Sequence, residues 1–161
     1  MIDKTWTGED LVIWDYAGIT GACIDRPAKV IWPYLGEKQE AWADVHFTLI
    51  AGDWQQVGGM FTNETPEGRN FWEVIKARSE RELVLKLTYR RNGERDDDRK
   101  LVGYDYVTLD EVDDHTKLTM YQMLAVPVPK SYLHIAAVKH AQFMERSFRK
   151  LKQIVEQTTR F

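Results

Sequence analysis

Three side chains in this sequence have the type and setting for acid/base chemistry on a face that folding would bury. His140 lies in a stretch from Ser131 to Thr158 that has no proline or glycine and a helical period. At about 100° per residue, Leu133, Ala137, His140, Met144, Ser147, Phe148, Leu151 and Val155 share one face, with Glu145, Arg149, Lys152 and Glu156 opposite. An imidazole there, beside the small Ala136 and Ala137, can hydrogen-bond or shuttle a proton near neutral pH. The competing reading is a core histidine satisfied by a backbone carbonyl or a tyrosine. Asp105 falls in strand phase with Val107 and Leu109, which points it inward. The other phase would turn Tyr104 and Tyr106 inward and leave Asp105 in solvent or paired with a lysine or arginine. A carboxylate among apolar side chains has a raised pKa and can act as acid or base. Tyr89 shares a strand face with Leu83, Leu85 and Leu87, opposite Lys86 and Arg90.

Other chemistries find little footing. His134 and His140 are six apart, so they do not share a helix face as an i, i+4 pair would, and no cysteine joins them. Asp96-Asp97-Asp98 sits between Arg95 and Arg99 in a charged tip that should be solvated. Gly58-Gly59 lacks the Lys-Ser/Thr of a phosphate loop, there is no GxSxG, and Cys23 has no evident base. Neither metal nor cofactor is expected.

The 161 residues suffice for one domain with a sizeable core. With 43% hydrophobic and 29% charged residues the composition is globular. A net charge of −3 leaves no basic surplus for a phosphate backbone, so nucleic acid is not an expected partner. The start, MIDKTWTGEDL, is not a signal peptide, no segment has the apolar length of a membrane span, and one cysteine allows no intrachain disulfide. The expected location is cytoplasmic.

The elements that must position these residues follow from periodicity and turn residues. Residues 1–16 carry Trp6, Leu11, Val12, Ile13 and Trp14 and read as an extension, an extra edge strand, packed on a domain spanning 17–161. AGITGACID is a first strand. Asp25 is placed to cap a short helix that begins near Pro27 and ends at Pro33. GEKQEAWAD is a polar loop or second short helix. Strands follow at 45–52, 55–63, 70–80, 82–92, 101–112 and 116–126, with a bulge or bend expected at Gly58-Gly59. Short turns between successive strands argue for an antiparallel meander. Pro127 and Pro129 end it, and a long helix closes the chain. The class is α+β: a curved antiparallel sheet of about seven strands, short helices after strand one, and a long C-terminal helix.

Three stretches carry a family resemblance: ITGACIDRPAKVIWPYL, VTLDEVDDHTKLTM, and the amphipathic helix after a Pro-x-Pro break. Their order resembles the helix-grip fold of the START/SRPBCC superfamily, which includes polyketide cyclases and lipid-transfer domains. Residues 1–16 have no counterpart in it. The resemblance implies a cavity between the concave sheet and the long helix. His140, Asp105 and Tyr89 would then form a cofactor-free catalytic set. The wall would include Trp32, Trp72, Leu85, Leu87, Val107, Met120, Gln122, Ala136, Ala137 and Met144. Trp32, Trp42, Trp54 and Trp72 read either as an aromatic clamp or, with more weight, as core. The expected function is binding of a small hydrophobic, aromatic or polyketide-like molecule by a cyclase or lyase. The alternatives are a non-catalytic carrier or sensor of a hydrophobic ligand or lipid, and a protein-binding module of the chaperone-regulator sort. Tyr132, Ile135 and Val138, off the main helix face, would meet residues 1–16 or a second subunit of a homodimer.

Overall fold

The computed structural model describes residues 11–13, 17–124 and 127–157, with side chains over 20–123 and 142–157. Strand β1 (Leu11–Ile13) pairs antiparallel with β9 (Pro127–Pro129) in a separate two-stranded ribbon. The main sheet holds β2 (Ala17–Ile24), β3 (Thr48–Ala51), β4 (Met60–Glu64), β5 (Gly68–Arg78), β6 (Glu82–Arg91), β7 (Lys100–Val112) and β8 (His115–Leu124). Its order is β2-β8-β7-β6-β5-β4-β3, antiparallel throughout. The meander read from the sequence is therefore present, and the first strand returns to pair with the last. Helices α1 (Ala28–Ile31) and α2 (Glu40–Ala43) fill the long connection from β2 to β3, and α3 (Lys130–Glu156) follows the sheet.

Register breaks bend the sheet between Leu49 and Ala51, Val74 and Lys76, and Leu87 and Thr88. Each leaves unequal residue counts on paired strands, which raises local twist and curls the sheet toward α3. The expected distortion at Gly58-Gly59 lies just before β4. There Gly58 has φ +92°, and a side chain on Gly59 would collide with the Asp53 carbonyl. Glycine is the residue that tolerates both conditions.

The C-terminal half of α3 supplies the grip. Met144, Phe148, Leu151 and Val155 are buried at helical spacing, in one core with Ile24, Leu83, Val107 and Leu118 of the sheet and Ile31 of α1. Trp42 of α2 meets Phe148 edge-on at 6.0 Å, and its indole N–H donates to the Tyr34 carbonyl at 2.6 Å. That bond satisfies the one polar atom of a buried ring. One local expectation is corrected. Asp25 does not cap α1. The Glu111 carboxylate accepts the Ala28 N–H at 2.5 Å, while Asp25 pairs with His115 at 3.0 Å. The tip at Asp96–Asp98 is exposed, as expected, and Asp96 in addition holds two arginines. Its carboxylate accepts Arg90 Nε at 2.5 Å and lies 3.6 Å from Arg69, and these cations hold its pKa below the ordinary value.

Candidate functional site

Between the concave sheet and α3 lies a cavity of about 340 Å³. Its wall takes Phe61 and Asn63 from β4, Trp72 from β5, Leu83, Leu85 and Leu87 from β6, Asp105 and Val107 from β7, and Met120 and Gln122 from β8. The loop and α2 side contributes Leu35, Gln39, Trp42, Ala43, Val45 and Phe47, and α3 contributes Phe143, Met144 and Ser147. Strand alternation produces this wall: residues two apart on each strand face the same way, so one apolar stripe per strand makes one apolar surface. Phe61 and Trp72 stack at 5.6 Å and 9°, and Phe47 stands edge-on to both, 5.6 Å from Phe61 and 5.4 Å from Trp72. Two near-parallel rings and one perpendicular to them thus form an aromatic panel on one side.

Among the described residues, Asp105 is the ionisable group on this wall. It sits opposite Gln122 in the β7–β8 register and opposite Leu85 in the β6–β7 register. The side chains of Gln122 and Trp72 both hydrogen-bond its carboxyl group. Burial pushes the pKa up from 3.8 to about 6, and the two donors only partly oppose that rise by favouring the charged form. The site can therefore exchange a proton near neutral pH from a fixed position. Asn63 accepts the Asn70 amide at 3.0 Å, and the Ser147 hydroxyl donates to the Phe143 carbonyl at 3.0 Å.

Eight of the residues expected on the wall are there: Trp72, Leu85, Leu87, Asp105, Val107, Met120, Gln122 and Met144. The inward phase of Asp105 is the one adopted, and Tyr106 on the other face is half-exposed against Tyr121. Two expectations fail. Tyr89 keeps its strand parity and is buried, but it does not line the cavity. The register break after Leu87 carries it past the cavity's end, where its ring covers Gly68. Trp32 also lies elsewhere. Ile31 and Leu35 take the core-facing positions of the α1 turn and the 3₁₀ turn after it, so Trp32 is rotated away by about 100°. Its ring borders a separate surface groove with Glu37, Trp54 and Gln55. His140, Ala136 and Ala137 lie on α3, but their side chains fall outside the described residues. Phe47, Phe61 and Gln39 were not singled out by sequence. Phe47 and Phe61 flank the glycine-rich turn, where strand phase is hard to read, and Gln39 sits in a stretch that looks wholly polar. Among the described residues, no three His, Cys, Asp or Glu side chains gather to hold a metal ion.

The decisive comparison is with protein families. The model for Activator of Hsp90 ATPase homolog 1-like protein matches residues 25–156, from the end of β2 to the end of α3. The chain belongs to this family. The assignment agrees with the START/SRPBCC resemblance carried by the sequence. No curated protein matches the chain. Among solved structures, a Mesorhizobium loti protein is 18% identical, with a TM-score of 0.66, over 90% of this chain and 100% of that one. CalU16 from Micromonospora echinospora is 13% identical, with a TM-score of 0.61, over 95% of this chain and 88% of that one. DynU16, a protein in the dynemicin biosynthetic locus, is 15% identical, with a TM-score of 0.59, over 86% of this chain and 48% of that one. At these identities the likeness is one of fold. Among the described residues, no helix of this family member is long and apolar enough to cross a membrane.

Proposed function

We propose that the chain binds a small, largely apolar aromatic molecule in the cavity under α3 and transforms it by cofactor-independent acid/base catalysis, as a cyclase or lyase. The observation that carries this reading is Asp105. A carboxyl group on an apolar wall, hydrogen-bonded by Trp72 and Gln122 and poised at about 6, has the properties of a proton-transfer group. Asp105 is the proposed base in its ionised form and acid in its protonated form. His140, one helical turn before Met144, is the proposed second group. Tyr89 has no part in it. The aromatic panel of Phe47, Phe61 and Trp72 would orient a flat substrate against the carboxyl. The structural neighbour from a biosynthetic locus supports a small-molecule role.

The second reading is a carrier or sensor, favoured by how few polar side chains the wall has. Native mass spectrometry of the purified protein should reveal a co-purified aromatic species, whose conversion can then be assayed. Under the catalytic reading, Asp105→Asn abolishes conversion while the species still binds. If Asp105→Asn and His140→Ala both leave conversion intact, the proposed roles are wrong. If the bound species is never converted, the carrier reading prevails.

A further inference from the structure

The groove bordered by Trp32 shares no lining residue with the cavity under α3. It holds about 510 Å³, within the range of small-molecule sites. Its floor is Trp32, Trp54 and Ala77, each half-buried and packed against the core. Its rim carries Glu37 and Asp53, both exposed. The frame is fixed. The Gln55 amide donates to the Trp32 carbonyl at 2.6 Å, and Gln55 lies so close to Gly36 that a Cβ there would stand 2.5 Å from its side-chain oxygen. Trp54 rests on Phe61 with ring centroids 5.1 Å apart. The turn that carries Asp53 and Trp54 is tied to β5, with the Gly58 N–H donating to the Val74 carbonyl at 3.0 Å and the Val74 N–H to the Gly59 carbonyl at 2.8 Å. Two indoles and two carboxylates are thus presented together by two tethered segments.

The neighbouring cations are engaged elsewhere. Lys38, next to Glu37, lies over the Tyr34 ring at 5.5 Å. Lys76 and Arg78 flank Ala77 but alternate to the opposite face of β5, where they stand 3.1 and 3.9 Å from the Glu82 carboxylate. Among the described residues, no lysine or arginine lines the groove and none pairs with Glu37 or Asp53. A concave surface with charge of one sign at its rim concentrates ions of the other sign. Indole rings add an attraction for cations that is strongest for those that shed water easily. A quaternary ammonium meets both conditions, since its methyl groups can be buried on the floor while its charge faces the rings and the carboxylates. We infer that this groove binds a small quaternary ammonium compound, with its trimethylammonium head on Trp32 and Trp54 and its charge offset by Glu37 and Asp53. The site is independent of the cavity and of the activity proposed for it.

The test compares choline with 3,3-dimethyl-1-butanol, its neutral isostere with carbon in place of the charged nitrogen. Each is titrated into the full chain at constant ionic strength, and the indole N–H signals are followed by proton–nitrogen NMR. Choline should move the Trp32 and Trp54 signals saturably and leave those of Trp42 and Trp72, which line the cavity, in place. It should bind about tenfold more tightly than the alcohol. In the double variant Glu37→Gln, Asp53→Asn that preference should fall by about threefold or more, and because both side chains are exposed the exchange leaves the fold intact. Equal affinities for the two probes, or a preference that the double variant leaves unchanged, overturn the inference. Shifts confined to Trp42 and Trp72 put choline in the cavity and overturn it as well. So does the absence of a saturable shift at Trp32 and Trp54 up to about 100 mM choline.

Discussion

Replacing Asp105 by asparagine should make the protein more stable at alkaline pH and cost it about 1 kcal/mol in acid. The carboxyl has an ordinary value of 3.8 and stands at about 6 in the fold. The folded state thus binds this proton more tightly than the unfolded chain does. The stability associated with that proton is fully present below 3.8 and is lost as pH rises through about 6. The whole difference corresponds to about 3 kcal/mol between the protonated and ionised limits. Between pH 4 and pH 8, about 2 kcal/mol of it should appear. Asparagine has the same shape and no charge to desolvate. It can accept one of the two hydrogen bonds from Trp72 and Gln122, and the other donor loses its acceptor, an offset of about 1 kcal/mol at every pH. Urea denaturation of both proteins at several pH values gives the difference directly, and other titrating groups cancel from it. The wild type should lose about 2 kcal/mol relative to Asp105→Asn from pH 4 to pH 8. A difference that stays flat within about 0.5 kcal/mol, or that changes in the opposite direction, would refute the argument that burial dominates at this carboxyl.

Trp72→Phe keeps the aromatic panel and removes one donor to the Asp105 carboxylate. The titration midpoint of Asp105, read by carboxyl NMR, should rise above 6 by about one unit, and no upward movement would mean the indole bond is inconsequential. Phe148→Ala empties a site that is 1% exposed and on which Trp42 rests. Chemical denaturation should show a loss of about 3–5 kcal/mol, and a loss below about 1 kcal/mol would mean α3 does not grip the sheet there. Gly68→Ala places a Cβ against the Arg90 carbonyl and 2.5 Å from the Tyr89 hydroxyl. It should cost about 1–3 kcal/mol, seen as a lower melting temperature. Tyr89→Ala should not restore the loss, because the Arg90 carbonyl still stands in the way.

The architecture was legible because each element announces itself over many residues. The α3 pattern repeats through Met144, Phe148, Leu151 and Val155, and β6 and β7 alternate for most of their length. The phase of Asp105 could be read for the same reason. The β7–β8 register runs unbroken from Gly103 to Val112, so Asp105, Val107 and Leu109 stay on one face. Tyr89 shows where parity stops being enough. It has the right phase, yet a register break two residues away and the curl of the sheet put it beyond the cavity. Trp32 failed because a one-turn helix followed by a 3₁₀ turn offers too few residues for a face to be assigned. Gln39 gave no signal at all, since burial of one polar residue in a polar stretch depends on what packs over it from far along the chain.

Asp105 and Gln39 are polar residues on an otherwise largely apolar cavity. An apolar wall is most stable when every position on it is apolar, and Asp105 and Gln39 both depart from that rule on the same cavity. The departures differ in kind. Asp105 has its hydrogen bonds and still carries the cost of its charge, so its chemistry is a proton near neutral pH. Gln39 has no charge, and its Nε2 is buried without a hydrogen-bond partner among the described residues. Neither deficit is relieved by repacking the protein around it, because the Asp105 backbone is fixed by two neighbouring strands and the Gln39 backbone by the hydrogen bonds of α2. A molecule that exchanges a proton with Asp105 would relieve the first of them. Local instability confined to one cavity is what a site of chemistry requires, and a cavity that only stores an apolar ligand would need neither departure.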